Sequence, residues 1–281
     1  MPLVLKSPFD AVVEFTDKNL NKTTIDYLTS RGWDSSVISK WHLGFFPPNK
    51  NSDLYAALSR HGFGKQDLID ARVMNDKGNT LLFNRVIFPI WNTHGKLIAV
   101  TGRTLTDEKP KYFNTGYDKG RFLYGLNFAI QRIRELDEAF VYEGNADVVT
   151  AHAFDLLNTV GCQGTAFTKE HYNLLSRYTS RIYLVLDNDE GGRKALASFN
   201  KRYPDFLSKD KHKVLNSRNK EVEVYIIVLQ GAKDPDEYLR KFGREAFLKT
   251  VLEQKNNTKL QSQRRQILPK AVDKNAKKRN V

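Results

Sequence analysis

The chain has 281 residues, 40% hydrophobic and 27% charged, a balance that supplies a packed core and excludes a disordered polymer. The single cysteine, Cys162, excludes intramolecular disulfides and cysteine-rich zinc sites, and no apolar run reaches the roughly 20 residues of a membrane-spanning helix. With 45 Lys and Arg against 32 Asp and Glu, the formal charge of +13 points to a polyanionic partner, with plain solubility as the bland alternative.

The N-terminus has no h-region of a secretory signal, and the six histidines are scattered without metal-ligand spacing, so a cytoplasmic protein is expected. Residues 1–21 show no clear period and are expected to form a docked arm. Residues 22–46 read as two short helices, with Thr24 as a cap and Gly32 as the break between them. Helices at 53–61 and 65–71 follow. From Arg72 the chain turns to short β-rich runs at 73–74, 81–83, 85–91 and 96–101, separated by NDKGN and NTHG turns. This predicts an antiparallel meander, with Pro89 marking an edge or bulge. A helix is predicted at 127–136.

From Ala139 strand and helix alternate. Strands are predicted at 139–143, 158–162, 182–186 and 222–229, and helices at 145–157, 169–178 and 190–201. That rhythm predicts a parallel sheet covered by helices. Residues 208–220 read as a solvated loop, 231–254 as two helices, and 256–281 as a basic, disordered tail. The expected fold class is α/β: an α+β N-terminal subdomain (22–137), a parallel-sheet α/β domain (138–232), and a small helical C-terminal segment (233–255) that opens on an acidic motif.

The acidic residues fall at related places in this scheme. Residues 181–192 read RIYLVLDNDEGG, an apolar strand after which Asp187 and Asp189 point the same way. Glu143 ends another strand, with Asp147 one helical turn on. Asp234 and Asp236 follow the last strand. Parallel strands bring their carboxyl ends to one edge, so all six carboxylates can surround one crevice. Such crowding raises carboxylate pKa values unless a cation intervenes, and Mg²⁺ is held by carboxylates together with substrate phosphates. Each pair also has a structural explanation. Asp189 can cap a helix, Asp234-Pro-Asp-Glu237 has the form of a helix start, and Glu143 and Asp147 suit a helix dipole. The joint arrangement is harder to explain in that way.

Glu143-Gly-Asn-Ala-Asp147, with Leu186-Asp-Asn-Asp-Glu-Gly191, resembles the Toprim domain of topoisomerases, primases and some nucleases. A longer ordered series is more selective. Arg31-Gly-Trp33 with Leu43-Gly-Phe45, Arg85-Val-Ile-Phe-Pro-Ile90, Thr101-Gly-Arg-Thr104 and Lys109-Pro-Lys-Tyr-Phe-Asn114 belong to it. So do Lys119-Gly-Arg-Phe-Leu-Tyr-Gly-Leu126, Gly161-Cys-Gln-Gly-Thr165 and Lys233-Asp-Pro-Asp-Glu-Tyr-Leu239. Together they resemble the RNA-polymerase core of bacterial-type (DnaG-like) DNA primases over residues 22–250.

The resemblance implies a Toprim-like catalytic domain and a nucleotidyltransferase that makes RNA primers on single-stranded DNA from NTPs. It implies two divalent ions, Mg²⁺ or Mn²⁺, held by Glu143, Asp187, Asp189, Asp234 and Asp236, with Asp147 as ligand or support. It also implies a basic ridge for NTP and template, formed by Arg85, Arg103, Lys111, Tyr112, Lys119 and Arg121; on the residues alone this is a solvated basic face. Phe122, Tyr124, Phe128 and Trp91 are expected in the core rather than as base-stacking platforms. The alternatives are a Toprim-type metal-dependent nuclease and a non-catalytic nucleic-acid-binding replication subunit. A topoisomerase would need a further domain carrying a nucleophilic tyrosine. Primases of this type usually carry a zinc-binding and a helicase-binding domain, and one cysteine and a short tail match neither. No zinc is therefore expected, and the expected partners are a replicative helicase or a separate zinc-binding start-site protein, with no membrane. Such a minimal core would suit a compact genome such as a phage's.

Overall fold

A computed structural model describes residues 7–48, 50–187, 213–215 and 221–267. Its first element corrects the expectation of a patternless arm. Pro8–Asp17 is a helix, α1, opened by Ser7, whose backbone N–H donates to the Asp10 carboxylate at 2.6 Å. Phe9, Val12, Val13 and Phe15 recur at helical spacing and are buried, so this helix is part of the core. The next helices are α2 (Lys22–Ser30), α3 (Ser35–Lys40), α4 (Asn51–Arg60) and α5 (Lys65–Asp70). Asn21, not Thr24, caps α2, accepting from the Thr24 N–H at 2.9 Å.

Strands β1 (Gly44–Phe46), β2 (Arg85–Trp91), β3 (Leu97–Thr104) and β4 (Tyr112–Asn114) form an antiparallel sheet in the order β1-β2-β3-β4. Pro89 is tolerated because β1 pairs only with Arg85 to Ile87 and leaves that side of β2 open. The runs at 73–74 and 81–83, predicted as strands, are not in a sheet, although Val73, Met74 and Leu82 are buried.

Helix α6 (Leu126–Leu136) leads into β5 (Ala139–Tyr142), α7 (Asn145–Ala153), β6 (Thr159–Gly161), α8 (Lys169–Leu175), β7 (Arg181–Leu186), β8 (Lys213–Leu215) and β9 (Glu221–Val228). The second sheet runs β6-β5-β7-β9-β8, parallel except for β8 at its edge. That strand corrects the reading of 208–220 as a loop at residues 213–215; the rest of that segment lies outside the described residues. Side chains alternate across the sheet. Phe140, Tyr142, Tyr183, Val185, Tyr225 and Ile227 join the large core that also fills the antiparallel sheet. Ala139, Val141, Ile182, Leu184, Val222 and Val224 pack on the opposite face with residues of α6 and α8.

The last element, α9 (Pro235–Ile267), is two helical segments joined at Gly243, whose φ of 79° breaks the helix. Its backbone stays helical past Asn256, which corrects the tail boundary. The Lys, Gln and Arg residues there are good helix formers. The predicted helix at 190–201 lies outside the described residues. Among the described residues, no helix is long and apolar enough to cross a membrane.

Trp33 packs edge-on against Phe88, and Trp41 stacks on Tyr124 with centroids 5.1 Å apart. One continuous apolar cluster thus carries both sheets. Tyr124 and Trp91 are buried as expected, while Phe122 and Phe128 are half-buried.

Candidate active site: an acidic sheet edge facing a basic sheet

Adjacent parallel strands β5 and β7 end together, which places Glu143 and Asp187 side by side. The Asp187 N–H donates to Glu143 Oε1 at 3.4 Å. Gly144 then starts α7. A Cβ there would lie 2.4 Å from Asp147 Oδ2, so only glycine lets the Asp147 carboxylate fold back over the helix start. Asp147 is buried, and its Oδ1 accepts from the Asp236 N–H at 3.3 Å. Its carboxyl is pushed up to about 7, first by burial and then by the charges of Asp234 and Asp236.

Asp234 is half-buried and caps α9, accepting from the Glu237 N–H at 2.8 Å. The helix-start pattern is therefore realised at a place that still adjoins the other carboxylates. Asp236 is brought to the same place, but its oxygens are already engaged. Oδ1 accepts from the Thr150 hydroxyl at 2.5 Å; Oδ2 takes Arg31 at 3.0 Å and Arg240 at 2.8 Å. Asp189 lies outside the described residues. Among the described residues, no three acidic, histidine or cysteine side chains are gathered as a ready metal cage.

The basic residues come from β2 (Arg85), β3 (Arg103), the residue before β4 (Lys111) and the turn after it (Lys119, Arg121). Arg103 and Tyr112 are register partners, and the Arg103 guanidinium lies over the rings of Tyr27 and Tyr112 at 5.2 and 5.5 Å. Arg31 lies over Tyr27 and Trp33 at 5.2 and 5.7 Å and extends the row. Exposed Lys111 has its pKa lowered by desolvation and by Arg103, Lys233 and Arg31, while Asp234 raises it. Burial pushes the Tyr112 phenol up to about 12; Arg103 pulls it down and Asp147 adds to the rise. The basic row and the acidic edge thus feel each other's fields.

Arg85 is different. It is 3% exposed and donates to the carbonyls of Leu81 and Lys111, the latter at 3.2 Å. It braces the chain at Lys111, just before β4. Gly102 makes room for it, since a Cβ there would lie 2.9 Å from Arg85 Cδ.

Lys119 and Arg121 share a short 3₁₀ turn. Lys119 is half-buried, its pKa lowered by desolvation, and its Nζ donates to the Gln163 carbonyl at 3.3 Å. Gln163 adopts a left-handed φ of 62°, and the next residue, Gly164, donates its N–H to the Glu143 carbonyl at 2.8 Å. The loop after β6 thereby ties Lys119 to the acidic edge. Tyr112, Asn114, Lys119, Asn145 and Gln163 help line a cavity of about 290 Å³ between the basic sheet and the start of α7. Arg121 is exposed on the same turn.

Sequence reasoning gave no role to Arg31, Arg240, Thr150 or Asn145. Arg240 was legible as an i,i+4 partner of Asp236. No local signal joins Arg31 or Thr150 to Asp236, because those contacts cross the fold.

Residues 12–130 match the family model for the N-terminal domain of the DNA primase catalytic core, and residues 140–239 match a Toprim-like model. A DNA primase of Clostridium acetobutylicum is 33% identical over 245 residues, covering 84% of this chain and 38% of that protein. The crystal structure of a DNA primase domain from Pseudomonas aeruginosa is similar with a TM-score of 0.73 at 30% identity, covering 87% of this chain and 77% of that one. A DnaG primase catalytic domain bound to ssDNA gives a TM-score of 0.71 at 29% identity, covering 89% and 81%. The chain spans well under half the length of the curated relatives it matches.

Proposed function

The chain belongs to the bacterial-type, DnaG-like DNA primase family, and from that premise we propose that it polymerises short RNA primers on single-stranded DNA from NTPs. The observation that carries the reading is the opposition of charge: Arg31 and Arg103 lie over the same Tyr27 ring, and Arg31 pairs with Asp236, whose N–H donates to Asp147. A site that joins nucleotides needs cations for polyphosphate and template beside carboxylates for metal, and a likeness to a DnaG domain bound to ssDNA supports the same polymer here.

In this proposal Glu143, Asp187, Asp189 and Asp234 hold two Mg²⁺ or Mn²⁺ ions, with Asp147 as support. The donors are all hard carboxylate oxygens, and the burial and then the carboxylate repulsion that raise Asp147 are what a divalent cation would offset. When bound, the ions supply Lewis-acid stabilisation of charge at the reacting phosphorus. Arg103 and Arg31 present guanidinium planes to phosphate oxygens, and Lys111 acts as a mobile point charge at the rim. Lys119, half-buried beside the cavity, holds the nucleotide end that enters there. A 3′-hydroxyl attacks the α-phosphate and pyrophosphate leaves, so the cationic row stabilises both the incoming nucleotide and the departing group. A replicative helicase and a start-site protein are the partners this reading implies.

The test is incubation with single-stranded template, labelled NTPs and Mg²⁺ or Mn²⁺. Short RNA products are expected. Shortened template would instead mean a nuclease, and neither product a binding subunit.

A further inference from the structure

The two aspartates that open α9 have different surroundings. Asp234 is half-buried at the helix cap. Asp236, 2% exposed, is the centre of a buried junction between three distant parts of the chain. Its Oδ1 accepts from Thr150 of α7, and the Thr150 oxygen itself accepts from Trp33 Nε1 at 2.9 Å. Its Oδ2 takes Arg31 at 3.0 Å and Arg240 at 2.8 Å, and its backbone N–H reaches Asp147 Oδ1 at 3.3 Å. Two guanidinium groups on one carboxylate leave the junction cationic, so a divalent ion approaching Oδ2 would be repelled.

We propose that Asp236 is a positioning residue that locks the basic row to the acidic edge, not a metal ligand. The inference rests on the primase reading for what the row binds. Arg31 stacks on Tyr27, and Tyr27 also carries Arg103, so fixing Arg31 fixes the next cation. Through its backbone the same residue restrains Asp147. A carboxylate is required because only an anion can hold two guanidiniums, one half-buried and one exposed, at hydrogen-bond distance.

The experiment compares wild type, Asp236→Asn, Asp234→Asn and Arg31→Gln as full chains. Single-stranded oligonucleotide binding is measured by fluorescence anisotropy in EDTA, and Mn²⁺ binding by electron paramagnetic resonance titration. Asp236→Asn is expected to weaken metal-free oligonucleotide binding by roughly 5–10-fold, about one guanidinium–phosphate contact. Arg31→Gln should do the same, and a chain carrying both Asp236→Asn and Arg31→Gln should bind no more weakly than either single variant. The number and affinity of bound Mn²⁺ ions should stay unchanged in Asp236→Asn and fall in Asp234→Asn. Loss of a Mn²⁺ ion in Asp236→Asn, or unchanged oligonucleotide binding, would overturn the proposal. If circular dichroism shows Asp236→Asn unfolded, Arg31→Gln decides. Weaker oligonucleotide binding with unchanged Mn²⁺ supports the junction, and tighter Mn²⁺ binding identifies a ligand relieved of a competing cation. Because these readouts need no catalysis, a wild type that binds oligonucleotide but makes no RNA would sink the primase reading alone.

Discussion

The antiparallel sheet and the carboxyl edge of the parallel sheet hold opposite charges by opposite means. On the first, Lys111 is exposed and Arg103 half-buried, with the Arg103 guanidinium supported on aromatic rings. Spread-out cations of this kind suit a polymer whose phosphates arrive along a track and whose binding weakens with salt. On the second, the carboxylates are half-buried or buried and are positioned by backbone N–H groups. Desolvated carboxylates suit a small, hard ion at a fixed point. The contrast teaches that exposure, more than charge, separates the parts that follow a substrate from the parts that hold a reaction centre.

The sharpest break of this contrast comes from the acidic side. Glu143→Gln or Asp187→Asn should lower primer synthesis by about 10³-fold or more, the scale of a lost metal-borne stabilisation, with circular dichroism and Tm unchanged. Wild-type yield from either variant would reject the metal reading.

Arg85 tests whether a buried cation belongs to the basic row at all. Arg85→Ala removes hydrogen bonds to two carbonyls in a buried place and should cost about 2–3 kcal/mol in urea unfolding. The folded fraction should keep the wild-type salt slope for oligonucleotide binding. A reduced slope would return Arg85 to the binding surface.

Asp147 is the next case. Its folded pKa of about 7 lies above the ordinary 3.8, so the folded state binds the proton more tightly than the unfolded chain does. Stability from this group is therefore present below pH 3.8 and lost as pH rises toward 7. Asp147→Asn should raise metal-free stability by on the order of 1–3 kcal/mol at pH 8 and by little at pH 4. Thermal melts in EDTA at the two pH values check this; an equal effect at both would show that burial of charge is not the cause.

The smallest effects are expected on the exposed side. Lys111→Ala and Arg103→Ala should each weaken template binding by about 3–10-fold and lower the salt slope by about one. Unchanged affinity and slope would count against the ridge.

The amino-acid sequence by itself determined the order of elements, the change from meander to alternating strand and helix, and the chemistry of the acidic ends. These are local properties: periodicity, turn residues, and aspartates placed just after apolar strands. Helix α1 is equally local, since Phe9, Val12, Val13 and Phe15 lie at helical spacing just after Pro8. Strand β8 needed β9 beside it to be a strand at all, since three residues make no stable extended segment alone.

Tertiary structure alone decided which charges face a ligand. Arg85 and Arg103 look alike in sequence, yet one is sealed beneath Gly102 and the other lies between two tyrosines. Asp234 and Asp236 are two residues apart, yet one remains half-buried at a helix cap and the other is closed by Arg31, Thr150 and Arg240. The reason is physical. A charge's role depends on its desolvation and its partners, and those partners come from strands and helices far away along the chain.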